Sequence, residues 1–281
     1  MKLRGAGLIA LAALAGCTRH DAGGDALPGE EQGGSLTLSL SDPLTDVRVI
    51  EARVPGRPLV VIDAGHGGRD PGAAGIVTGI KEKELTLAVV RELRDRLAKD
   101  GRVRIALTRE DDRTIGLDNR SDIARRLGAA LFVSLHADSS NDPEARGATV
   151  YSLSEVASDA DAARMAAQQD ASAGVPAAAS GGVRALLADL AMRDTMSASA
   201  DFAVRLIGQA KGTMTLRPEP HRFAAFRVLR RTEAPAVLVE VGYLSNAGDE
   251  AMLRDPAQRA RMVAALARAI ETEMALKATA R

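Results

Sequence analysis

Apolar residues in this chain follow two rhythms. Leu59-Val60-Val61-Ile62, Leu131-Phe132-Val133 and Ala236-Val237-Leu238-Val239 are short continuous runs, rich in β-branched residues, of the kind a strand covered on both faces requires. Leu85, Val89, Leu93 and Leu97 instead recur every fourth residue, and Val90 widens the stripe. That spacing predicts an amphipathic helix over Glu82–Lys99, stopped by Gly101. Val103–Thr108 and Ala148–Leu153 read as further strands, Leu117–Leu127 as a helix, Phe226–Arg231 as a return to strand, and Asp255–Leu276 as a closing helix. Strand and helix thus alternate, the pattern of an α/β domain with a mainly parallel sheet whose ligands gather at strand C-termini. Upstream, Ser35–Leu40 alternates polar and apolar like a half-buried strand, and Val47–Val54 could make a second. Between about Ser154 and Arg222 the rhythm fades into Ala-rich, weakly apolar helix broken by Gly174-Val175-Pro176 and Gly181-Gly182, which marks an insertion.

The buried runs end in chemistry. The first gives way at Asp63 to Gly65, His66, Gly67, Gly68 and Gly72, a backbone free to turn sharply. The second ends in His136 and the third in Glu240, and Glu82 opens the helix after the glycine loop. Taken alone, His66 reads as a turn residue and Glu82 as a solvated first-turn acid favoured by the helix dipole. Together the three strand ends put His66, His136 and Glu240 on one sheet edge. Two imidazoles and a carboxylate form a tetrahedral zinc set with a fourth position open for water, and a further carboxylate beside it could take the water's proton. An ionised Glu240 ending an apolar strand is costly unless paired or bound to metal. His221, within Pro218-Glu219-Pro220-His221, reads as a surface histidine of the insertion. Arg109 either binds a substrate carboxylate or pairs with Asp111 or Asp112. The glycine loop lacks Gly-Lys-Ser/Thr and fits no G-x-G-x-x-G register, so it is not a nucleotide loop, and no G-x-S-x-G elbow occurs.

Composition adds limits. With 37 Lys plus Arg against 37 Asp plus Glu the formal charge is zero, which disfavours nucleic acid as a partner. No Trp and few aromatics leave an aliphatic core. Lys2 and Arg4 followed by the apolar run Gly5–Gly16 read as an export signal too short to span a bilayer. Leu14-Ala15-Gly16-Cys17 resembles the lipobox of bacterial lipoproteins, and Cys17 is the single cysteine, so lipidation and a membrane anchor account for it. Thr18 rather than Asp follows, as in lipoproteins sorted to the outer membrane, which implies a periplasmic site. The expected organisation is a signal over 1–16, a flexible tether over 17–34, a short segment of no assigned role over 35–57, and one catalytic domain over 58–278.

IDAGHGGRDPGAAG, IKEKELTLA, LTRED, SLHAD and PAVLVEVGYLSN together resemble, in order and spacing, the zinc-dependent N-acetylmuramoyl-L-alanine amidases of the amidase-3 family, from about Leu59 to the C-terminus. The resemblance implies a twisted sheet of about six strands flanked by helices. It implies Zn2+ held by His66, Glu82 and His136, Glu240 as the catalytic glutamate, and peptidoglycan as substrate, cut between N-acetylmuramic acid and L-alanine. Arg109 and Asn246, the latter in the last motif, are candidates for substrate contact. The Ala-rich insertion is similar to that of cell-division amidases, in which an inserted helix covers the zinc until a LytM-domain activator displaces it. Where those enzymes often carry a glutamate that reaches the metal, this chain has Gln169 with Asp170 beside it, the candidate regulatory pair. The alternatives are a zinc peptidase acting within the stem peptide and a catalytically silent wall-binding lipoprotein.

Overall fold

The structure is a computed structural model that describes residues 47–142, 144–171 and 183–279, the side chains of 183–191 excepted. The export signal, Cys17, the tether, the alternating Ser35–Leu40 stretch and the glycine breaks at Gly174 and Gly181 lie outside the described residues. In chain order the strands are β1 (Val49–Ile50), β2 (Leu59–Ala64), β3 (Arg104–Leu107), β4 (Leu131–His136), β5 (Ala148–Leu153), β6 (Leu216–Ala224) and β7 (Ala236–Glu240). The helices are α1 (Glu82–Asp100), α2 (Leu117–Arg126), α3 (Ala160–Ala171), α4 (Val183–Ala210), α5 (Arg227–Arg230), α6 (Ala247–Arg254) and α7 (Pro256–Thr279). They form a single α/β layer structure around a seven-stranded sheet of order β1-β3-β2-β4-β7-β5-β6.

The sheet is mixed. β3, β2, β4 and β7 run parallel, β5 is antiparallel to β7, and β6 is parallel to β5. Alternate residues of each buried strand enter opposite cores, as the two-residue period dictates. Val60 and Ile62 join Leu85, Val89, Leu93 and Leu97 of α1 with Leu266 and Ile270 of α7, whereas Leu59 and Val61 join Ile123 of α2 and Met165 of α3. Because β2, β4 and β7 point the same way, Ala64, His136 and Glu240 end on one edge, and His136 lies directly opposite Glu240 in register. α1 ends where Gly101 takes the left-handed conformation (φ 66°) and donates to Leu97 O.

Four sequence expectations are corrected. Phe226–Arg231 is not a strand: its residues 227–230 form the short helix α5, and the strand lies upstream as β6. β6 carries Pro218 and Pro220, which an edge strand tolerates, so the sheet reaches into the stretch assigned to the insertion. His221 is accordingly not a loop residue; it sits half-buried in β6 with Nε2 at 3.0 Å from Ser152 Oγ. Helix α6 precedes the closing helix and was not anticipated, although Asn246 caps it by accepting from the Gly248 and Asp249 amides. Among the described residues no helix is long and apolar enough to cross a membrane.

Candidate metal centre

The site is assembled from strand ends and one helix start. After β2 the chain turns at Gly65, where a Cβ would lie 2.3 Å from His136 Cε1, so only glycine leaves room for that imidazole. A Cβ at Gly72 would likewise meet Glu82 Oε2 at 2.6 Å and His66 Cδ2 at 2.7 Å. The glycines of the loop therefore make space for site side chains. His66 itself has φ 60°, the one non-glycine in the left-handed region among the described residues. That conformation costs on the order of 1–3 kcal/mol and must be held by its surroundings. Arg120 donates to the His66 carbonyl at 2.6 Å, and Asp70 Oδ2 lies 2.8 Å from His66 Nδ1. Asp70 favours a proton on Nδ1, so Nε2 is the ring nitrogen turned toward Glu82.

Glu82 is fully buried, so the solvated first-turn reading fails. Its Oε2 accepts from the Ala73 amide and its Oε1 from the Ala137 amide, both at 2.9 Å. The same two oxygens stand 3.1 Å from His66 Nε2 and 3.1 Å from His136 Nδ1, and those ring nitrogens are 3.2 Å apart. One ligand atom from each of the three residues lies within 4.8 Å of the others. Two facing imidazole nitrogens and an anchored carboxylate could hold a metal ion, and the set of nitrogen and oxygen donors fits zinc. Burial works against the His66 cation, yet Glu82 and Asp70 outweigh it and lift its pKa to about 10. Burial also opposes ionisation of Glu82, but His66 and His136 hold its carboxyl well below the usual value. His136 is pushed down by burial.

Glu240 stands across from this cluster, buried at the end of β7. Its Oε2 accepts from the Asp138 amide at 3.0 Å, while its buried Oε1 has no hydrogen-bond partner. Burial, then Asp138 and Glu82, push its carboxyl well above the usual range. Asp138, just past β4, is pushed up to about 6 by burial and by Glu82. Gln169 of α3 donates to Asp138 Oδ2 at 3.3 Å and, with His66, His136, Leu117 and Arg120, lines a cavity of only about 100 Å³. Asp170, next to it, instead turns to α5 and accepts from the Arg227 amide.

Beneath the glycine loop lies a polar frame that sequence reasoning passed over. Asp63 accepts from Arg120 at 2.8 Å, Thr108 at 2.5 Å and Ser134 at 2.6 Å, all buried. Arg120 also donates to the carbonyls of Ala64 and Ile115. Arg109 is 1% exposed and donates to the carbonyls of Ala64, Gly65, Lys83 and Asp111, so it clamps the loop onto α1. Asn246 caps α6 through its side-chain oxygen.

Comparison with known proteins decides the lineage. The family model Amidase_3, described as N-acetylmuramoyl-L-alanine amidase, matches residues 60–272. The chain belongs to that family. The amidase is 33% identical over 220 residues to N-acetylmuramoyl-L-alanine amidase AmiA of Escherichia coli K12, covering 76% of this chain and 75% of AmiA. It is 34% identical to a probable N-acetylmuramoyl-L-alanine amidase, AmiB, of Haemophilus influenzae, over 72% of this chain but 49% of that protein. Among solved structures, the catalytic domain of CwlV, an amidase of the same name from Bacillus (Paenibacillus) polymyxa var. colistinus, aligns at TM-score 0.55 and 30% identity. The alignment covers 76% of this chain and 96% of that domain.

Proposed function

We propose that this amidase hydrolyses the amide between the lactyl group of N-acetylmuramic acid and L-alanine with a zinc ion held by His66, Glu82 and His136. The observation that carries the reading is the buried His66–Glu82–His136 cluster facing Glu240. Bound there, zinc would polarise the scissile carbonyl and supply a water whose pKa is near 7. The chain does the rest. Asp138 N–H fixes one Glu240 oxygen and leaves the other to take the attacking water's proton and pass it to the departing alanine amine. Asp70 keeps His66 in the tautomer that offers Nε2, and the Ala73 and Ala137 amides hold both Glu82 oxygens in place.

A 100 Å³ cavity is too small for a glycan-linked peptide. Gln169 and the helix α3 that carries it cover the site, which supports a resting state opened by an activator of the LytM-domain class during cell separation. Export and lipidation at Cys17 would hold the enzyme on the periplasmic face of a membrane, facing the wall. Metal analysis tests the centre. Purified wild type and Glu240→Gln are expected to retain zinc, Glu82→Gln to lose most of it, and Asp70→Ala to bind it about 10–100-fold more weakly. Equal zinc retention in all four proteins would remove this cluster as the metal site.

A further inference from the structure

Next to Glu240, α3 also covers a cationic patch. β5 is antiparallel to β7, so Thr149 lies across from Glu240, and the first residues of β5 and β6 share the catalytic edge. Contacts run outward from there in one line. Thr149 Oγ1 is 3.4 Å from the buried Tyr243 hydroxyl, and Arg217 of β6 donates to that hydroxyl at 2.9 Å, its guanidinium carbon 5.4 Å from the ring centroid. Arg217 also donates to Asp161 of α3 at 3.2 Å. Arg222, 6% exposed and further along β6, donates to Asp161 at 2.8 Å and binds Asp159 as well. The arginines belong to the sheet and Asp161 to the first turn of α3, with Asp159 the residue before that helix, and the other end of the helix brings Gln169 to Asp138.

The charge balance then constrains the opened enzyme. If α3 lifts, two guanidinium groups lose their carboxylates while remaining beside the catalytic edge, and poorly hydrated arginines in that position call for another planar anion. The substrate carries one. In the stem peptide L-alanine is followed by a D-glutamate joined onward through its side chain, which leaves an α-carboxylate one residue from the scissile amide. Two residues of extended chain reach about 7 Å and an arginine side chain adds more, enough to bridge the roughly 10 Å of two strand spacings between β7 and β6. We propose that Arg217, with Arg222 beside it, is the subsite for this stem-peptide carboxylate, and that Asp161 occupies it while α3 is down. Both halves rest on the reading of α3 as a cover, since Arg217 and Arg222 are paired with Asp161 while it is down.

On the acid compound the two partners of one ion pair should therefore respond with opposite signs. The full chain would be assayed on N-acetylmuramoyl-L-alanyl-D-glutamic acid and on the matching D-isoglutamine compound, in which that carboxylate is an amide. Asp161→Asn, which releases both Arg217 and Arg222, is expected to raise turnover about threefold or more on both, the scale of screened ion pairs. Arg217→Gln also breaks the ion pair, so it is expected to raise turnover on the isoglutamine compound as well, yet to cut kcat/KM on the acid about tenfold relative to that compound, mostly through KM, the scale of one charge-assisted hydrogen bond. Arg217→Lys, which keeps charge without the fork, should fall between, and unchanged melting temperatures would exclude misfolding. If Arg217→Gln changes both compounds equally, by gain or by loss, the subsite is overturned. If Asp161→Asn changes nothing while Arg217→Gln still discriminates between them, the subsite stands and Asp161 is not what blocks it.

Discussion

Glu240→Gln is expected to lower amide hydrolysis by about 10²–10⁴-fold, the usual contribution of a positioned proton-transfer group. The substitution is nearly isosteric, and Gln retains an oxygen for the Asp138 amide, so fold and metal content should be unchanged. What disappears is the basic oxygen, the one that makes no hydrogen bond among the described residues. A second signature follows from the environment. Burial, Asp138 and Glu82 raise the Glu240 pKa well above 4.5, so the native state holds this proton more tightly than the unfolded chain. Its contribution to stability is full below the unfolded value and is lost as pH rises through the native one. Urea unfolding of the metal-free proteins between pH 5 and pH 8 should therefore favour Glu240→Gln increasingly over wild type. A variant that keeps wild-type turnover would take Glu240 out of the reaction.

Asp63→Ala is expected to destabilise the domain by about 3–5 kcal/mol, because it strands the buried Arg120 guanidinium without its carboxylate. The effect should reach the site. Arg120 also ties down the Ala64 and His66 carbonyls, and the strained His66 backbone depends on that restraint. Despite the opposing effect of burial, Arg120, Ser134 and Thr108 hold the Asp63 pKa below its usual 3.8. Its contribution is thus present above about pH 4 and lost as pH falls through the native pKa. Urea unfolding at pH 7 and at pH 3 checks both points: the gap between wild type and variant should be wide at the first and narrower at the second. A gap under about 1 kcal/mol at pH 7 would mean that the pair is not a structural element.

The strands that bear the site could be read from sequence because each is a continuous apolar run closed by a polar residue. Their shared direction then set His66, His136 and Glu240 on one edge. Glu82 was harder to read. Nothing in Lys81-Glu82-Lys83-Glu84 separates a buried acid from a solvated one, and the Ala73 and Ala137 amides that hold it lie nine and fifty-five residues away. Arg109 and Arg120 were opaque for the same reason: most of their partners are backbone carbonyls distant in the chain, which no side-chain pattern records. β6 was misplaced because its burial is weak and two prolines interrupt it, whereas Phe226, Val228 and Leu229 look strand-like but pack from a loop and a short helix. Asn246 did carry a signal for α6, as a capping residue ahead of an acid-rich first turn.

Metal-dependent amide cleavage is tested by mass spectrometry of the products released from purified sacculi, with enzyme alone, with chelator, and with chelator followed by zinc. Intact stem peptides beginning with a free L-alanine amine and glycan strands stripped of peptide are expected, with loss of both on chelation and their return with zinc. Fragments that lack the L-alanine, or release that persists under chelation, would contradict it.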